Sequence, residues 1–148
     1  MLETFNKDNF FSCNRTTLRY WGKIIDWVGS SSKRSDIFQE YLDKVGLQAG
    51  FFQKEGTENK RKVKAFKRIC FVIFYGAKDK YKDHLRLLLD RIADVIKSTD
   101  NSHSSLLILI LFCLRILILR LSQSNLNDLF KQIWPMLLTL LIQIYSKP

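Results

Sequence analysis

Residues 104–121 read SSLLILILFCLRILILRL, and whether this run spans a membrane, fills a core or coats a surface decides what fold the chain can adopt. A transmembrane helix needs about 20 apolar residues to cross about 30 Å of hydrocarbon. The stretch from Leu106 to Leu121 is shorter and carries Arg115 and Arg120. Near the centre of a span each arginine costs about 3 kcal/mol and each leucine or isoleucine returns about 0.5 kcal/mol, so the two cations offset most of the apolar gain. The run therefore reads as a core helix, apolar all round because neighbours cover every side. A buried arginine must find carboxylates or carbonyls. Arg115 is accordingly expected in a buried ion pair, with Asp90, Asp94 and Asp128 on adjacent helices as candidates. The alternative is that Arg115 and Arg120 lie along an exposed edge. Leu107, Leu114 and Leu121 stand seven apart and would permit a short zipper and a homodimer, although Asp128 ends the series.

The flanking sequence repeats a helical period. Leu18, Trp21, Ile24, Ile25 and Val28 recur at three- and four-residue steps behind Asn14, which stands where a helix cap belongs. Ile37, Phe38, Tyr41, Leu42 and Val45 form a second stripe that Gly46 ends. AGFFQKEGTEN, residues 49–59, has two glycines and little periodicity, and reads as a flexible connection. Leu85, Leu88, Leu89, Ile92, Val95 and Ile96 define a further helix, and Leu126 to Ile144 another, in which Pro135 either kinks the helix or starts a new one. The expected fold is one all-α domain over residues 1–148, a short α-solenoid or helical-repeat-like array of six to seven antiparallel helices around 104–121. A folded chain that is mostly helical and needs no detergent follows from that reading.

Composition supports it. With 47% hydrophobic and 26% charged residues and only 6 glycines and 2 prolines, the 148-residue chain is neither disordered nor a turn-rich sandwich. The net charge is +10, and 15 of the 24 cations fall in residues 1–78, which suits phosphate-bearing partners. The three cysteines, Cys13, Cys70 and Cys113, are widely spaced, and the last two lie in apolar stretches where a thiol behaves as a small hydrophobe. They read as reduced cysteines of a cytoplasmic protein.

The inventory for catalysis is poor. His84 and His103 are isolated, no Cys or His pair has metal-ligand spacing, and phosphate-loop and nucleophile-elbow patterns are absent. Asp90 and Asp94 share a helical face with Arg86 and Arg91 nearby, an arrangement more typical of ion pairing than of acid–base chemistry. No catalytic residue, metal or cofactor is expected. The candidate binding surface is a basic stripe in KRKVKAFKRICFVIFY, residues 60–75. There Lys60, Arg61, Lys64, Lys67 and Arg68 lie opposite Val63, Phe66, Ile69, Cys70 and Ile73. Phe71 and Tyr75 continue the basic line, so charge is expected to run into exposed or half-exposed aromatics. Such a face suits acidic lipid headgroups or a protein partner, and equally a helical-repeat nucleic-acid binder.

Several strings, taken in order, resemble the C-terminal region of the Dopey family: LRYWGKIIDWV, KAFKRICFVIFYGAKDKY, LLLDRIADVI, FCLRILILRLSQSNLNDLF and IWPMLLTLLIQIY. The likeness covers Leu18 to Tyr145 and leaves the first dozen residues outside. It implies a fragment of a long, non-enzymatic scaffold that is cytoplasmic and peripheral on Golgi and endosome membranes. It also implies partners of the family's kind: an Arf-exchange-factor-like scaffold, an aminophospholipid flippase, kinesin light chain and phosphoinositides. It transfers no catalytic or binding residue by position.

Overall fold

The computed structural model describes residues 2–30, 37–46, 55–98 and 104–145. Among these the chain forms seven α-helices: α1 (Leu2–Asn6), α2 (Arg15–Gly29), α3 (Ile37–Gly46), α4 (Glu55–Tyr75), α5 (Leu85–Ser98), α6 (Ser104–Arg120) and α7 (Gln123–Tyr145). Two 3-10 turns, Phe10–Ser12 and Lys82–His84, complete the described secondary structure. The all-α expectation holds. Asn14 caps α2 as its side chain implies, with Oδ1 accepting from the Thr17 amide at 2.8 Å. Residues 55–59, expected within a connection, instead form the first turn and more of α4, where Glu58 and Lys62 pair one turn apart at 2.5 Å. Residues 49–54 lie outside the described residues, as does His103. Pro135 lies inside an unbroken α7, where Thr139 Oγ1 donates to the Pro135 carbonyl at 2.9 Å.

The hub of the array is α4, not the apolar α6. It packs on α2, α3 and, most extensively, α6, while α5 bridges α3 and α7. Phe66, Ile69, Cys70, Val72 and Ile73 of α4 are all buried. Burying such side chains contributes about 1.5–3 kcal/mol each. Gly22 is required where α2 crosses α4, because a Cβ there would sit 2.2 Å from the Tyr75 ring. The sulfurs of Cys70 and Cys113 meet in the α4–α6 interface. That hydrogen bond and burial together push the Cys113 thiol well above its usual pKa.

Helix α6 departs from expectation in a specific way. Leu106, Leu107, Ile110, Cys113, Leu114, Ile116 and Leu117 are buried, but Ile108 (65% exposed), Phe112 and Leu119 face outward. Neighbours cover one side of α6 rather than all of it. Arg115 falls on the outward side and is exposed, so it is not the buried ion pair that its mid-helix position suggested. Its head reaches water, and no carboxylate is needed to offset desolvation. The leucines at 107, 114 and 121 all face the chain's own core. No helix among the described residues is long and apolar enough to cross a membrane.

A clasp that sequence periodicity does not reveal joins the ends of α4 and α6. Asp79 adopts a left-handed conformation, φ 60°, which aspartate tolerates better than most residues. From there its carboxylate accepts from the Ser122 amide and from Asn125 Nδ2, each at 2.8 Å, at the start of α7. Its own amide donates to the Arg120 carbonyl at 3.1 Å, and the Arg120 guanidinium donates to the Gly76 carbonyl. The bonds from Ser122 and Asn125 hold the Asp79 carboxyl below its ordinary pKa. A depressed carboxyl stabilises the fold above its unfolded pKa, about 3.9, and that stabilisation is lost as pH falls through the lower folded value. Asp79→Ala is therefore expected to lower the melting temperature by a few degrees at pH 7. The deficit should shrink below pH 4, as paired melting curves would show.

Candidate functional site

The candidate site is built on α4 and completed by two segments distant in sequence. Lys60, Arg61, Lys64, Lys67 and Arg68 all line one hollow of about 850 Å³. Its far walls are Asp8, Phe11 and Ser12 of the N-terminal segment and Ser105 and Leu106 at the start of α6. The first turn of α6 therefore borders a hollow that already holds five cations and one carboxylate among its lining residues. Such a site attracts anions, and its concave wall concentrates the field.

The five cations are not equivalent. Lys60 and Lys67 are exposed and take part in no ion pair among the described residues. Lys64 pairs with Asp8, whose carboxyl is held below its usual pKa by that bond and by the Lys64 charge. Arg61 is half-buried. Arg68 is 2% exposed, which corrects its placement on an open binding face. Its Nε donates to the Phe5 carbonyl at 2.9 Å, Nη2 to the Lys7 carbonyl at 2.9 Å and Nη1 to the Lys64 carbonyl at 3.1 Å. The guanidinium also lies over the rings of Phe5 (5.6 Å) and Phe11 (5.7 Å). Burial lowers its pKa, with Tyr41 and Asp8 opposing. Arg68 is thus an anchor that ties the N-terminal segment to α4.

Phe71 and Tyr75 are likewise not an exposed continuation of the stripe. Phe71 is buried and Tyr75 half-buried. Phe5, Phe10 and Phe11 pack against Phe71 at centroid distances of 5.7, 5.4 and 5.9 Å. The N-terminal segment lies over that end of the basic line. Tyr41 adds a further tie, donating its hydroxyl to Asn6 Oδ1 at 2.6 Å, while burial raises its pKa to about 12. The contributions of Asp8, Phe11, Ser12 and the α6 start escaped sequence reasoning because they come from segments outside the period of α4.

No group of His, Cys, Asp and Glu among the described residues could hold a metal ion. His84 is half-buried, and Asp90 and Asp94 are both exposed. Among the described residues the molecule is thus an all-α array that carries a basic hollow on its surface. The chain matches the family described as DOP1 C-terminal over residues 1–148 and belongs to that family, the Dopey proteins of the resemblance above. It is 24% identical to the protein DOP1 homolog of Drosophila melanogaster, covering 98% of this chain and 6% of that protein. It is 26% identical to protein DOP1B of Mus musculus (98% and 6%) and 21% identical to protein pad-1 of Caenorhabditis elegans (99% and 6%). The chain thus spans about a twentieth of the length of these relatives. No solved structure matches it.

Proposed function

We propose that the chain is a non-enzymatic adaptor module of a Golgi and endosome trafficking scaffold, and that its basic hollow holds the anionic headgroups of a cytosolic membrane leaflet. The observation that carries this reading is the convergence of Lys60, Arg61, Lys64 and Lys67 of α4 with the first turn of α6 on one hollow of about 850 Å³. Membership of the DOP1 C-terminal family supports the trafficking context. Each cation near an anionic leaflet contributes about 1 kcal/mol, so the hollow would give weak, salt-sensitive recruitment, with protein partners supplying the rest.

The test uses the two cations that carry no structural duty. Lys60→Glu with Lys67→Glu should weaken sedimentation with phosphatidylserine vesicles at least tenfold at low salt, because two favourable charges become two repulsive ones. Helical circular dichroism should not change, since both side chains are exposed. A double variant that sediments like the parent would overturn the headgroup reading. Tighter, steeply salt-dependent binding of single-stranded oligonucleotides would favour a nucleic-acid module instead.

A further inference from the structure

Helix α2 presents a second surface that the basic hollow does not include. Its inward side, Gly22, Ile25 and Val28, is buried. Its outward side carries Arg15, Arg19 and Lys23 in one row, four residues apart, all exposed. Beside that row runs a second, Tyr20 (63% exposed), Ile24 (37%) and Trp27 (71%). The only acidic residue of α2, Asp26, is half-buried and engaged by Lys80 Nζ at 2.6 Å. Arg15, Arg19 and Lys23 enter no ion pair among the described residues.

A row of large apolar side chains bordered by a row of cations is the pattern of a helix that lies in a membrane interface. Tryptophan and tyrosine favour that depth because each has an apolar ring and one polar atom that stays wet. The face is a convex helix surface, which lies along a plane, whereas peptide ligands are recognised in grooves or at sheet edges. We propose that the outer face of α2 docks on an anionic bilayer, with Tyr20, Ile24 and Trp27 entering the headgroup boundary and Arg15, Arg19 and Lys23 meeting acidic headgroups. This inference rests on the reading of the chain as a peripheral membrane module and adds a second contact, through exposed aromatic and aliphatic side chains, outside the hollow. The fold presents the face already formed, so docking costs no ordering of the helix.

Trp27 supplies its own probe. In a Trp21→Phe, Trp134→Phe background it is the remaining tryptophan of the chain. Its emission should shift blue with phosphatidylcholine vesicles containing phosphatidylserine, and chain-brominated lipid should quench it. Vesicles of phosphatidylcholine alone should do neither. Each cation contributes about fivefold to partitioning, so Arg19→Glu with Lys23→Glu should reduce binding at least tenfold. Trp27→Ala, followed by sedimentation, should reduce it by about tenfold, with an unchanged melting curve. Lys60→Glu with Lys67→Glu, read in the same assay, reports on the hollow separately. If that variant sediments like the parent while Trp27 is still quenched, the hollow reading fails and the α2 face stands. If the protein sediments but brominated lipid leaves Trp27 unquenched, or if neutral vesicles quench it equally, the α2 proposal is overturned. A Trp27 that ignores vesicles yet responds to an acidic amphipathic peptide would also overturn it, assigning the face to a protein partner.

Discussion

Arg68→Ala should lower the melting temperature by about 6–16 °C and release the N-terminal segment from α4. The guanidinium serves three backbone carbonyls at once and lies over two phenylalanine rings. Hydrogen bonds from a charged donor contribute about 1.5–3 kcal/mol each, and a buried carbonyl left without a partner costs about 1–3 kcal/mol. Some of those carbonyls would regain water once the segment lifts, so a net loss of about 3–4 kcal/mol is the expected scale. For a domain of this size each kcal/mol is worth about 2–4 °C. Arg68→Lys should recover only part of the loss, because one ammonium cannot reach carbonyls spread around a planar fork. Thermal melts give the magnitude, and hydrogen exchange at residues 3–12 gives the location, with protection lost there first. A variant that melts like the parent but binds acidic vesicles less well would make Arg68 a ligand contact instead.

The same residue shows where the sequence was legible and where it was not. Periodicity correctly placed the inward faces of α3 and α5, Ile25 and Val28 of α2, and Phe66, Ile69, Cys70 and Ile73 of α4, because there local amphipathicity and tertiary burial agree, whereas Ile24, in the same expected stripe of α2, is exposed. On a helical wheel Arg68 belongs with Lys60, Lys64 and Lys67. What separates it from them is a segment some 60 residues earlier, whose Phe5 and Phe10 are buried and whose carbonyls require a donor. No periodic signal within α4 encodes that contact. The short opening helix carries too few residues to show a period of its own. The hollow was legible as a list of cations but not as a concavity, since Phe11, Ser12 and Ser105 form walls that only the tertiary fold brings opposite α4.

Helix α6 was illegible for a different reason. When nearly every position is apolar, hydrophobicity carries no phase, and the inward face cannot be read from pattern alone. The one polar side chain between Leu106 and Ile118 is Arg115, and its placement on the open side with Phe112 and Leu119 was the available clue. Weighing the desolvation of an arginine against the exposure of leucine points the same way. A buried, unpaired charge costs several kcal/mol, whereas leaving a leucine exposed forgoes about 1.5–3 kcal/mol.

The phase of α6 makes Leu114 the sharper test of how this helix works. Leu114 is 2% exposed and faces α6's own neighbours, while Phe112, two residues away, is 52% exposed. Truncating a buried leucine to alanine removes its transfer free energy and leaves a cavity, about 2–5 kcal/mol in all. Leu114→Ala should therefore lower the melting temperature by about 5–15 °C, a shift that converts at about 2–4 °C per kcal/mol for this size. Phe112→Ala, with half its surface already in water and no cavity to create, should move it by no more than a few degrees. Had the series 107, 114 and 121 been the seam of a zipper, the loss from Leu114→Ala would depend on protein concentration, because a folded dimer gains stability by mass action. In the fold described here the same leucines are buried in the chain's own core, so the destabilisation should be the same at micromolar and at tenfold higher concentration. Melting curves of the two variants at two concentrations decide between them: a large, concentration-independent loss at Leu114 beside a small one at Phe112 fixes the inward face of α6, and the reverse order would invert it.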